Sequence, residues 1–243
     1  MVYFFDARGC PSCGERRDVR LVGGDVHRCE RCGASFRRSS SGGPEHAVGD
    51  LLVGTDLGDR RLVGWSVSKP EVVRFDSVEH ELVARVPGSP NSAEILRSSG
   101  YFADLDVGVT FRFIDADVTD KWSGIGLSLR WRNDGSGTCD YLFEVRASGR
   151  YAVFRFREGK SESLVPLIEH AALRVGVGER NRLRVVADGP SLRVFLNGVL
   201  ASSVRDEVWT QGRIRLVVTP PDASTVEVGF AELEIREPRA RWL

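Results

Sequence analysis

Residues 124–157, GIGLSLRWRNDGSGTCDYLFEVRASGRYAVFRFR, decide the fold of this chain. Ile125, Leu127, Leu129 and Trp131 alternate with Ser128, Arg130 and Arg132. The same alternation returns in Tyr141, Phe143 and Val145 against Leu142, Glu144 and Arg146. A period of two marks a strand that buries one face and wets the other. Two turns join the three strands so defined. Their expected inward side is Leu127, Leu129, Trp131, Tyr141, Phe143 and Val145; their outward side is the broad polar surface such a domain can offer.

Working outward, residues 72–76, 80–86 and 101–114 carry the same period. Val107, Val109, Phe111 and Phe113 share one face, with Thr110 and Arg112 on the other. Residues 181–188, 192–196, 199–204, 213–219 and 225–236 follow suit. Asn197-Gly198 suits a type I′ hairpin turn, because both residues tolerate positive φ. No helix of any length is expected. About twelve short strands with frequent turn signals predict an all-β, two-sheet antiparallel sandwich over residues 62–243.

The N-terminal end is different. Cys10-Pro-Ser-Cys13-Gly and Cys29-Glu-Arg-Cys32-Gly each place two sulfurs two residues apart, followed by a glycine that permits a tight knuckle. Between the pairs, Val19, Leu21 and Val26 fit a short hairpin turning at Gly23-Gly24, and 34–38 a third strand. The pattern resembles a zinc ribbon, with Cys10, Cys13, Cys29 and Cys32 holding one structural Zn²⁺; disulfides or an iron centre are the alternatives. Four thiolates leave no open coordination position, and a segment this small needs the metal in order to fold. Residues 39–61, beginning SSSGGPEHAVGD, read as a linker between a 1–38 ribbon and the sandwich.

Composition narrows the function classes. The chain has 243 residues, with 34 basic and 34 acidic side chains. In residues 1–38, eight arginines meet five acids, and four thiolates with one Zn²⁺ bring the net charge to +1. Neither balance is the footprint of a nucleic-acid binder. No apolar run is long enough for a spanning helix, and the first residues lack a signal peptide's pattern. A cytoplasmic protein is therefore expected.

Trp65, 124–130 (GIGLSLR), 140–144 (DYLFE), 149–151 (GRY), 181–185 (NRLRV), 195–198 (FLNG) and 212–216 (GRIRL) form an ordered set. Together they resemble the concanavalin A-like (laminin G-like) jelly roll, near the branch with 3-keto-disaccharide hydrolase-like domains. The resemblance covers about seven-tenths of the chain. It implies two antiparallel sheets, one of them curved, often presenting a carbohydrate or protein ligand surface. It leaves the function open, since such folds include lectins, hydrolases and spacers.

Hydrolysis asks for two carboxylates about 5–10 Å apart across the bond being cut. No ExDxE-type strand occurs; Glu232-Leu-Glu234 is the nearest. Glu144 is expected to be the one acid among the outward arginines, ion-paired and with its pKa lowered, which suits neither a general acid nor a proton-sharing pair. A non-catalytic binding or interaction protein follows. Its expected ligand face is Arg112, Trp122, Arg130, Arg132, Glu144 and Arg146, for a glycan or protein partner. The alternatives are an adaptor subunit of a larger assembly and a keto-sugar hydrolase. Asp115, Asp117 and Asp120 form an oxygen-rich loop of the kind that can hold Ca²⁺, but the ligand pattern is incomplete.

Overall fold

The computed structural model describes residues 19–23, 26–29, 35–37, 51–58, 62, 64–119, 122–133, 135 and 137–238. Strands β1 (Val19–Gly23), β2 (Val26–Cys29) and β3 (Ser35–Arg37) pair antiparallel, in sequence order, as a sheet of their own. Cys10, Cys13 and Cys32 lie outside the described residues, as does the Cys29 side chain.

The sandwich begins with β4 (Leu51–Asp56), β5 (Trp65–Val67), β6 (Val73–Asp76), β7 (Glu81–Val86) and β8 (Ala93–Ser98). The long central strands follow: β9 (Leu105–Asp115), β10 (Gly124–Asn133), β11 (Thr138–Arg146), β12 (Arg150–Arg157) and β13 (Lys160–Glu169). It closes with β14 (Arg180–Asp188), β15 (Ser191–Leu196), β16 (Val199–Arg205), β17 (Arg213–Thr219) and β18 (Val226–Arg236).

Seven of these strands form one sheet, ordered β13-β12-β11-β10-β17-β8-β5. The second sheet runs β16-β15-β14-β9-β18-β7-β6, with β4 also paired to β18. Every pairing is antiparallel. The inner faces meet in one core, including Phe111, Leu127, Tyr141, Phe143, Tyr151, Val185, Leu216 and Phe230. The chain is thus the expected all-β sandwich of two antiparallel sheets. No helix among the described residues is long and apolar enough to cross a membrane.

Two details differ from the sequence reading, each for a local reason. Strand β4 lies inside the 39–61 stretch read as linker, yet 51–56 pairs with Arg236 to Glu232. Strand β7 covers only the first half of β18, at 226–230. The second half would otherwise present open backbone groups, and β4 occupies that edge. Strand β13 was missed because it is an edge strand with a polar start and Pro166 inside it. Proline is tolerated there because an edge needs fewer backbone donors, and the pairing slips between Tyr151 and Val153, opposite Pro166. The 197–198 turn is as expected, with φ of 49° at Asn197 and 85° at Gly198.

Candidate functional site

The outer face of the seven-stranded sheet is built around a bulge in β10. Leu129 pairs with Tyr141 and Arg132 with Cys139, so Arg130 and Trp131 together oppose the single residue Asp140. Arg130 takes up the extra residue with φ at 57°. The bulge shifts the alternation by one step. Arg130 turns inward and Trp131 turns outward, the reverse of the expected arrangement.

Arg130 is consequently a buried residue, 1% exposed, and does not stand on the sheet's outer face. Its Nε donates to the Ala103 carbonyl at 3.3 Å, Nη1 to that of Trp209 at 2.7 Å and Nη2 to that of Gly189 at 2.8 Å. Asp104 stands 3.5 Å from Nη2. Burial pulls the guanidinium pKa down, and the Asp104 charge opposes that. Arg132 also falls on the inner side of the bulge, its guanidinium 4.2 Å from the centre of the Trp209 ring.

Arg112 belongs to the other sheet. On β9 it meets Glu81, with Nη2 at 2.9 Å from the carboxylate, and Glu79 at 3.5 Å. Arg180 shares both acids. Neighbouring pairs, Arg184 with Asp106 and Arg182 with Glu234, continue this lattice across the outer face of the eight-stranded sheet. Glu81 and Asp106 are buried under their arginines, so removing either arginine would leave a buried carboxylate without its partner. These pairs keep that face soluble, and their cations are already spoken for by acids.

Trp131 stands on the outer face of the seven-stranded sheet among residues brought from four strands. Arg97 from β8 and Arg215 from β17 lie 5.3 and 4.8 Å from the centre of its ring. Arg215 donates to Asp140 at 2.8 Å and to Ser128 at 3.2 Å, and stands 3.4 Å from Glu94. Ser128 donates to Asp140, and Ser68 to Glu94. Phe154 and Phe156 on β12 share this face, since they pair with Leu142 and Asp140. Arg213 faces the same way from β17, in register with Trp131, and sits 5.2 Å from the exposed Tyr101 ring. Trp131 Nε1 and Arg213 Nε have no hydrogen-bond acceptor among the described residues.

Glu144 and Arg146 lie further along the same face, but as a buried pair. They are 3% and 6% exposed, joined at 2.6 Å, and Thr219 donates to the other Glu144 oxygen at 2.7 Å. Burial pushes the Glu144 pKa up, against the partial opposition of Arg146 and Thr219. The expected lowering is thus reversed, because desolvation outweighs the partner charge. Arg146 also donates to the Trp122 carbonyl and lies 5.6 Å from the centre of its ring. The Trp122 side chain is half exposed beyond it.

The alternation on β11 and β17 could have found Asp140, in phase with Leu142 and Glu144, and Arg213 and Arg215, out of phase with Ile214 and Leu216. Trp131 could not be found that way, because an arginine in the left-handed region leaves no mark in the sequence. At the suggested calcium loop, Asp117 accepts from the backbone and hydroxyl of Thr119 at 2.8 and 2.6 Å; Asp120 lies outside the described residues. No group of three or more His, Cys, Asp or Glu among the described residues is placed to share a metal ion.

No family model matches this chain, and no curated protein matches it. Solved structures do match. The chain is similar to carbohydrate-binding module CBM66 from Bacillus subtilis, with 19% identity, 70% of this chain and 94% of that one covered, and a TM-score of 0.52. It is similar to a protein of unknown function with a galectin-like fold from Bacillus subtilis, at 12% identity, covering 80% and 99%, TM-score 0.61. It is also similar to a Bacillus licheniformis β-glucanase, at 9% identity, covering 81% and 100%, TM-score 0.58. At these identities the likeness establishes the jelly-roll fold alone.

Proposed function

We propose that the sandwich is a carbohydrate-binding module that captures a glycan on the outer face of its seven-stranded sheet and does not cut it. The observation behind this reading is the outward turn of Trp131 into a band of arginines, acids and aromatic rings. Ring faces stack on sugar rings, and guanidinium and carboxylate groups hold sugar hydroxyls. The fold's solved neighbours, a carbohydrate-binding module among them, support a glycan partner over a protein one.

Binding without turnover is favoured by where the acids sit. Asp140 and Glu144 share one face of β11, but each carboxylate is already held by an arginine. Asp140 and Glu94 are both engaged by the Arg215 guanidinium, which suits paired carboxylates and not a free acid and base. Glu144 is tied to Arg146.

Glycan arrays and affinity electrophoresis test this. Trp131→Ala is expected to weaken capture by about 30-fold or more, the effect of removing a hot-spot aromatic worth about 2 kcal/mol. Arg213→Ala, which breaks no ion pair among the described residues, should weaken it less and leave the melting temperature where it was. Undiminished capture by both variants would remove this face from consideration. Sugar release that disappears in Glu144→Gln would establish an enzyme instead.

For the N-terminal end we propose a structural Zn²⁺ held by Cys10, Cys13, Cys29 and Cys32, in a reducing compartment. The donor chemistry fits: two thiolate pairs at knuckle spacing around a β1–β3 meander whose second strand ends at Cys29. Metal analysis of protein purified without chelators is expected to give about one zinc per chain, falling well below that in Cys29→Ser. A zinc content near zero in the unaltered protein contradicts the assignment.

A further inference from the structure

A second feature lies away from the sheet face, at one end of the sandwich. The loops 102–104, 189–190 and 205–211 enclose a cleft of about 550 Å³. That volume is within the range of small-ligand sites. Its floor is Ala103, Asp104, Pro190 and the Arg130 guanidinium; Arg205, Glu207, Thr210 and Gln211 form its lips.

The polar groups of this cleft are balanced and only partly used. Asp104 spends Oδ1 on the Gly189 amide at 2.8 Å and on Arg130, leaving Oδ2 without a donor among the described residues. Arg205 and Glu207 pair at 2.9 Å with both side chains about two-thirds exposed, so each keeps further hydrogen-bonding capacity. The side chains of Thr210 and Gln211 stand exposed beside them. Two arginines face two carboxylates. An anion entering the cleft would meet Asp104 and Glu207, and a cation would meet Arg130 and Arg205. A neutral ligand with adjacent hydroxyls meets donors and acceptors in pairs and desolvates no unbalanced charge.

The geometry points to this cleft as a second binding site, separate from the Trp131 face, that takes a neutral polyhydroxyl group such as the terminal unit of an uncharged glycan. The walls are held rigidly enough to recognise it. Arg130 ties three of the loops together from below. The Asp206 amide donates to the Pro190 carbonyl at 2.8 Å, joining two of them again.

The test uses the full chain labelled with ¹⁵N and a panel of neutral methyl glycosides, with glucuronate as the charged control. A neutral glycoside is expected to shift the Gln211 side-chain amide signal. Glu207→Ala combined with Gln211→Ala should weaken that binding tenfold or more, as read by calorimetry, without changing the melting temperature. Trp131→Ala should leave the Gln211 shift intact even if capture on the sheet face is lost, so the two sites fail independently. If no neutral glycoside moves the Gln211 signal at millimolar concentration, or if the paired substitution leaves affinity unchanged, the site is refuted. If glucuronate binds there more tightly than its neutral counterpart, the assignment to a neutral ligand is refuted.

Discussion

Arg130→Ala is expected to destabilise the sandwich by about 3–5 kcal/mol, the range for removing one partner from a buried charged network. For a domain of this size that corresponds to a drop in melting temperature on the order of 10 °C. Three backbone carbonyls, on Ala103, Gly189 and Trp209, lose their donor at once. Each orphaned acceptor costs about 1–3 kcal/mol if water cannot replace the donor, and the adjoining cleft lets water replace some of it. The backbone makes a second, sharper demand. Arg130 sits at φ 57°, a conformation that costs a residue with a Cβ about 1–2 kcal/mol. Arg130→Gly removes the same hydrogen bonds but relieves that strain, so it should be about 1 kcal/mol more stable than Arg130→Ala. Chemical denaturation of the two variants measures both quantities. Equal stabilities would mean the bulge is not held as described, and a near-neutral alanine variant would mean the three carbonyls do not depend on this side chain.

The bulge also separates what could be read in the sequence from what could not. Period-two patterning gave the right inward residues wherever a strand runs unbroken: Val107 to Phe113, Ile125 to Leu129 and Tyr141 to Val145 are all in the core. It failed from Arg130 onward, because one inserted residue reverses the parity of everything after it. Gly212 is the nearest sequence trace of that event. A Cβ there would lie 2.2 Å from the Arg130 carbonyl carbon, so the bulge needs glycine across from it, but a lone glycine at the start of a strand has many explanations. Arg112 illustrates a different limit. Alternation says which residues of β9 face outward but not which sheet β9 joins, and strand order places it with β14 and β18, opposite the sheet that carries β10 and β11. Sheet order likewise brings Glu94, Arg97 and Arg215 beside Trp131 from strands far apart in the chain, a pairing that no local pattern encodes. The difference at Glu144 is one of weight: the sequence points to an arginine partner without saying which, and burial to 3% exposure makes desolvation the larger effect.

Asp206→Ala should produce the second large loss, about 3–4 kcal/mol, because one buried carboxylate serves three donors. Tyr141 Oη donates to Oδ1, the Val208 amide donates to the same oxygen at 3.0 Å, and Arg155 reaches Oδ2 at 2.5 Å. The Tyr141 hydroxyl in turn accepts from the Trp209 amide at 3.0 Å, so the network closes on the 206–211 loop. Burial and the hydrogen-bonded Asp206 carboxylate push the Tyr141 pKa above its ordinary value, which keeps the phenol protonated, and so a donor, at neutral pH. Tyr141→Phe removes one hydroxyl and is expected to cost about 1–2 kcal/mol. The informative measurement is the double variant. Once Asp206 is gone, the hydroxyl has lost its main acceptor, so the second substitution should cost little, giving a coupling of about 1 kcal/mol or more from the denaturation midpoints. Additive losses would show that the two side chains act separately. The consequence reaches function because this loop carries Glu207, Thr210 and Gln211, the lips of the cleft, while Trp209 anchors it through an indole hydrogen bond to the Phe156 carbonyl at 3.1 Å. A variant that still folds but has lost Asp206 should therefore show accelerated amide exchange at 206–211 ahead of the core strands, and a weaker response of Gln211 to neutral glycosides in proportion.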